Sequence, residues 1–294
     1  MLPRVLKLAG SVVAPTTLLT ALLFYFGRLH AYWYFGYSGV NFTVLDLSTR
    51  DYLIRSVDGL FVPMIVAAIV GLAALAGLRR LHSELARRDD PRRNRRVAVA
   101  VAAVGSVLFV VSIVGVFRPV AFYDTRGLPG LLLGGGALLL AYAAHLMRVV
   151  PPRPAPGRET YRPAWVPVAE WAGVFLLVSL GLFWAVGDYS AAVGSGRALR
   201  AEAALRDEPS VILFSAKSLS LRAPGVTEVA CANPEAAFRF RYDGLKLMLR
   251  SGDQYVFLPA DWTPTGGRAI VIPRTDQIRM EFDYTAAIDP DPTC

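Results

Sequence analysis

RRLHSELARRDDPRRNRR, residues 79–96, is the stretch whose reading decides the fold. Eight of its eighteen residues are arginine and three are acidic, and its ends, Arg79 and Arg96, abut uncharged apolar runs. Residues 59–78 precede it and residues 97–117 follow it, neither interrupted by an arginine or lysine. A basic loop between two such runs is a topological marker, because Lys and Arg accumulate on the cytoplasmic side of a membrane. The same arginines are placed to touch anionic lipid headgroups, each contributing on the order of 1 kcal/mol.

Outward from this loop the pattern repeats. Uncharged or nearly uncharged runs cover residues 8–27, 59–78, 97–117, 127–147 and 168–187. A hydrocarbon core about 30 Å thick takes roughly 17–25 residues of helix, so five spans are expected. The chain is 54% hydrophobic and 18% charged, where soluble domains carry about 25% charge. The first run follows Arg4 and Lys7 as a signal sequence would. It is longer than a signal core and lacks a small-residue cleavage site, so it reads as a retained span.

The loops set the orientation. With the N-terminus inside, residues 1–7, 79–96 and 148–170 hold fourteen Lys and Arg, whereas residues 28–58 and 118–126 hold five. The N-terminus is therefore expected in the cytoplasm and residues 188–294 outside it, in the plasma membrane of a cell. The net charge of +8 divides as +10 for residues 1–187 and −2 for residues 188–294. Basicity confined to the membrane half fits topology better than a nucleic-acid groove, and no nucleic-acid partner is expected.

The expected fold is thus membrane α-helical, with five transmembrane helices in residues 1–187 and a small antiparallel β-rich extracytoplasmic domain with a leading helix in residues 188–294. In that domain residues 211–214, 238–242, 245–249, 255–258, 269–272 and 278–282 carry strand patterns, which predict an antiparallel meander of at least five strands. Asp243-Gly244 between alternating runs predicts a hairpin turn. Only two cysteines occur, Cys231 and Cys294, both on the expected exterior, and an intramolecular disulfide is the expectation. Trp262 reads as a core or corner residue rather than a ligand anchor.

Between the first two spans, Tyr32, Trp33, Tyr34, Phe35 and Tyr37 read as an interfacial aromatic belt. Ser48 and Asp51 form a predicted capping box that starts an amphipathic helix. Asp51, Arg55 and Asp58 on that helix, with Asp124 and Asp188, make a candidate polar surface on the outer face. Gly134, Gly135 and Gly136 inside the fourth run mark a close helix crossing or a flexible point rather than a phosphate loop, since no Lys follows and no strand precedes.

Catalytic chemistry is not indicated. The three histidines, His30, His82 and His145, fall at separate places in this topology, and no metal-ligand or nucleophile motif is present. No cofactor and no enzymatic activity are expected. Two stretches, YFGYSGVNFTVLDLSTRDYLIRSVDGLF (34–61) and RYDGLKLMLRSGDQYVFLPADWTP (241–264), give the chain a layout that resembles multi-pass membrane proteins of high-GC Gram-positive bacteria. That resemblance implies no activity and no functional residues. The expected role is presentation of the β domain for interaction or sensing, with the bilayer and a protein bound through that domain as partners. The alternative is an ion channel, or a channel or transporter subunit, formed by oligomerisation around Thr16 and Thr20 of the first span.

Overall fold

The structure is a computed structural model. It describes the backbone of residues 2–88, 91–117, 127–149, 163, 165–233 and 235–284. The described residues form five α-helices followed by a six-stranded antiparallel sheet. The helices are α1 (Leu2–Tyr37), α2 (Thr49–Arg88), α3 (Pro91–Phe117), α4 (Leu128–Val149) and α5 (Trp165–Ala204). Four of them, α2 to α5, are long and apolar enough to cross a membrane among the described residues. The fifth expected span, residues 8–27, lies within α1, and most side chains of its first half are outside the described residues. On α2, Phe61, Val62, Ile69 and Leu72 are exposed, a liability in water and the normal surface of a helix in lipid.

The chain divides into two compact units. A helical unit comprises Met1–Gly27 and Leu53–Ala192; a β unit comprises Arg28–Tyr52 and Val193–Cys294. The boundaries fall inside α1, α2 and α5. This division differs from a single cut near residue 187, because residues 28–52 pack with the sheet rather than with the spans.

In the helical unit, glycines set the helix spacing. A Cβ on Gly130 would lie 2.4 Å from the backbone of Gly181 and Ala185, and one on Gly181 would lie 2.5 Å from the Gly130 carbonyl. Gly136 meets α3 in the same way, with Gly105 O 3.0 Å and Phe109 N 2.9 Å from a Cβ there. The glycine run of α4 thus serves two crossings, with Gly134 and Gly130 facing α5 and Gly136 facing α3. Ser112 donates to Pro129 O at 2.8 Å across the α3–α4 contact. The hydroxyls of Thr16 and Thr20 donate to Val13 O and Thr16 O in their own helix.

The β unit begins at a helix end. Gly39 at φ +75° stops α1 with a Schellman motif: Val40 N bonds Phe35 O at 3.0 Å and Gly39 N bonds Gly36 O at 3.1 Å. Phe35 and Val40, the two residues this motif brings together, enter one buried cluster with Ala31, Leu45 and Val256. Asn41 then caps a 3-10 turn (Phe42–Leu45) by accepting from Thr43 N at 3.1 Å. Ser48 N donates to Asp51 Oδ2 at 2.8 Å, and Asp51 N donates back to Ser48 Oγ at 3.3 Å, which is the predicted capping box. The expected aromatic belt is therefore divided. Tyr32 and Trp33 are exposed, but Phe35 is fully buried against the sheet, a gain of about 1.5–3 kcal/mol for such a side chain.

The strands are β1 (Ser210–Ser215), β2 (Thr227–Ala230), β3 (Phe240–Ser251), β4 (Gln254–Pro259), β5 (Ile270–Pro273) and β6 (Ile278–Asp283). Their order is β5-β4-β3-β1-β6, with β2 also paired to β3. The sheet is thus not a plain meander, since β6 returns to lie beside β1. One face carries Val211, Leu213, Tyr242, Leu245, Phe257 and Ile272, all buried. Tyr242 is wholly buried, and its hydroxyl accepts from Leu219 N at 2.6 Å.

Asp243-Gly244 is not a turn. It lies within β3, where the pairing with β1 shifts by one residue between Val211↔Leu245 and Leu213↔Tyr242. The extra residue is a β-bulge with Gly244 at φ +82°. Chain reversal occurs instead at Gly252 and Asp253, between β3 and β4.

Candidate functional site

The residues expected to form an outer polar surface have mostly structural work. Asp51 is the capping partner of Ser48 on α2. Asp188 of α5 accepts the N–H of Gly127 at 3.1 Å, one of the open donors at the start of α4. Arg55 is half-buried and Asp58 exposed, three residues apart on α2. Asp124 lies outside the described residues. Cys231, which follows β2, is not a free thiol, and Cys294 lies outside the described residues. Among the described residues no group of three or more His, Cys, Asp or Glu is placed to hold a metal.

The concave feature of the β unit lies where the ends of α1 and α5 cover the sheet. A cavity of about 200 Å³ is lined by Tyr34, Tyr37 and Ser38 from the end of α1, by Glu202 and Leu205 from the end of α5, by Glu208, and by Leu247, Met248, Leu258 and Trp262 from the sheet side. Leu205, Leu258 and Trp262 form a buried cluster beneath it. Trp262 is 6% exposed, the core residue its sequence context suggests, and its indole N–H has no hydrogen-bond partner among the described residues. The Tyr37 and Trp262 rings are tilted by 52° with centroids 6.1 Å apart.

Two polar contacts define the electrostatics. The Tyr37 hydroxyl donates to Glu202 Oε2. Lys246, buried on β3, donates through Nζ to the carbonyls of Arg206 (3.4 Å) and Glu208, so its charge answers the open carbonyls just past α5. No ion pair joins the Glu202 or Glu208 carboxylate to a basic side chain among the described residues. The Tyr37 phenol is held above its usual range by the hydrogen bond to Glu202, then by burial and by the negative charge of that carboxylate.

This raised value has a definite sign. The folded state holds the phenolic proton more tightly than the unfolded chain does. The contribution to stability is fully present below pH of about 10 and is lost as pH rises through the folded-state value. The difference in 295 nm absorbance between the wild type and Tyr37→Phe should therefore titrate with a midpoint above 10. A midpoint at or below 10 would show that Glu202 does not accept a hydrogen bond from Tyr37.

A second, more open concavity of about 540 Å³ lies between Tyr32, Trp33, Gly36, Asn41, Phe42 and Ser195. The Arg28 guanidinium lies over the Phe42 ring at 5.7 Å. Tyr32 and Trp33 are exposed, and this groove is their shared surface.

Sequence reasoning did not find the cavity. Tyr37 and Glu202 are 165 residues apart, and Glu202 sits in an Ala-rich helical stretch that reads as a solvated extension of α5. The one available signal was the aromatic run after the first span, which suggested a surface rather than a wall. Comparison of the chain with protein-family models, with curated proteins and with solved structures finds no match.

Proposed function

We propose that this protein is an integral plasma-membrane protein of the cell envelope, with its N-terminus in the cytoplasm, that presents the β unit outside for interaction or sensing. The observation that carries the reading is the aromatic and acidic cavity built into the β unit. A unit serving only as a plug or an anchor has no need of an open concavity lined by polar and aromatic groups. The arginine bias of fourteen against five in the loops supports the orientation. We assign Cys231 and Cys294 to one bridge that ties down the chain end, in keeping with an oxidising exterior. The channel alternative rests on a polar stripe at Thr16 and Thr20; that both hydroxyls donate to their own helix backbone favours the first reading.

Labelling tests both parts. After mild reduction of intact cells, an impermeant maleimide should modify Cys231 and Cys294; labelling confined to lysates would reverse the orientation. Without reduction neither should react, and non-reducing peptide mapping should recover the two cysteines in one linked species. Recovery of two free thiols would dispose of the bridge.

A further inference from the structure

We infer that the cavity between the ends of α1 and α5 and the sheet binds an organic ammonium group, either a protonated or quaternary amine in solution or the cationic headgroup of a lipid. The inference rests on the reading of the β unit as an interaction or sensing module and gives that module a ligand class. Three observations converge. First, the walls are aromatic, with Tyr34, Tyr37 and Trp262 on the same cavity. Tyr37 and Trp262 form an open angle, with centroids 6.1 Å apart and planes at 52°. A cation seated against such a pair lies within about 6 Å of both centroids, the range in which ring quadrupoles attract it.

Second, the charge in the cavity is negative and unanswered. Half-buried Glu202 and exposed Glu208 both line it, and neither is ion-paired among the described residues. Among the described residues Glu202 receives only the neutral Tyr37 donor. The ammonium of Lys246, buried on β3, is turned to the carbonyls of Arg206 and Glu208. A half-buried carboxylate with a single neutral donor gains most from a cation that sheds little hydration on entry, and alkylammonium groups meet that condition.

Third, the size is selective. About 200 Å³ is below the 300–1,000 Å³ typical of drug-sized ligands, so the cavity takes a headgroup or small amine rather than a nucleotide or sugar chain. Leu205, Met248 and Leu258 supply apolar contact for methyl or methylene groups. An inorganic cation would leave those contacts unused.

The test uses the full chain in nanodiscs of phosphatidylglycerol, titrated with tetramethylammonium chloride by calorimetry, with potassium chloride as the ionic-strength control. Saturable binding is expected with a Kd on the order of 1 mM, given so few ligand atoms. Glu202→Gln keeps an acceptor for Tyr37 and removes the charge, so it should weaken binding at least about tenfold. Glu208→Gln is the second variant should Glu202→Gln fail to fold. Repeating the titration in phosphatidylcholine nanodiscs separates the sources: competition by the bilayer identifies a lipid headgroup, and unchanged affinity identifies a soluble amine. Absence of saturable binding in phosphatidylglycerol, or equal affinity in the wild type and the charge-removed variant, would overturn the inference. In that event external maleimide labelling would still support an exported β unit, so the two claims fail separately.

Discussion

Gly244→Ala is expected to unfold the β unit. Two costs coincide at this position. Its backbone is at φ +82°, where an L side chain costs roughly 1–2 kcal/mol. A Cβ there would also lie 1.9 Å from the carbonyl oxygen of Gly225, and the obstacle is backbone, which has no rotamer to move into. Either the bulge opens or β2 leaves β3, since Val226 and Thr227 follow directly from that contact. The total loss should be at least about 3 kcal/mol, a large share of the stability of a small domain. Limited proteolysis of the full chain in detergent should cleave the variant within residues 205–284 under conditions that spare the wild type. Gly266→Ala is the control, because the nearest atom to its new Cβ is Thr263 Oγ1 at 4.0 Å. Equal protease resistance of Gly244→Ala and the wild type would mean that the bulge is not needed.

Gly181→Leu should have an effect of similar size in the helical unit. The new Cβ would lie 2.5 Å from Gly130 O and 2.8 Å from Gly134 N, so α4 and α5 must separate before the rest of the side chain is placed. Helices in lipid gain no hydrophobic free energy from association, so close backbone packing is a main source of their cohesion. Overpacking against backbone should cost about 3 kcal/mol, which lowers the Tm of the detergent-solubilised chain by roughly 6–12 °C. Gly135→Ala provides the contrast within the same glycine run. Nothing lies within 4 Å of its Cβ, and the better helix former should leave Tm unchanged or raise it. A Gly181→Leu protein as stable as the wild type would remove the α4–α5 crossing from the account.

These two sites also show where local sequence reading succeeds and where it stops. Gly134 to Gly136 were legible as a crossing or a flexible point because three adjacent glycines in an apolar run have few other uses, and the structure shows the crossing. Which neighbour each one meets was not legible, because that depends on the rotation of α4 relative to α3 and α5. Asp243-Gly244 was misread because a glycine at positive φ serves a turn and a bulge equally well. The distinction lies in β1, about thirty residues upstream, whose pairing runs straight past the bulge and holds the two halves of β3 in one strand.

The candidate site follows the same division. Ser48 and Asp51 were readable because a capping box is closed within four residues. Asp188 was singled out for its place at the end of a span, but its partner, the N–H of Gly127, is sixty-one residues away. Tyr34, Tyr37, Glu202 and Trp262 come from three separate parts of the chain, and each has an ordinary local explanation as belt, helix surface or core.

The sequence by itself determined the class of this protein: apolar helices of membrane-spanning length, a change of composition near residue 187, and a C-terminal sheet. Within the arginine stretch at residues 79–96, α2 ends at Arg88 and α3 begins at Pro91, a residue suited to the first turn of a helix. These features are written in local periodicity and composition, which need no partner to be recognised. Only the tertiary structure decided that residues 28–52 belong with the sheet, that β6 closes beside β1, and that a tyrosine and a glutamate from two helix ends share one cavity. Each depends on pairing between segments far apart in the chain, and such pairing is set by shape and burial summed over many residues.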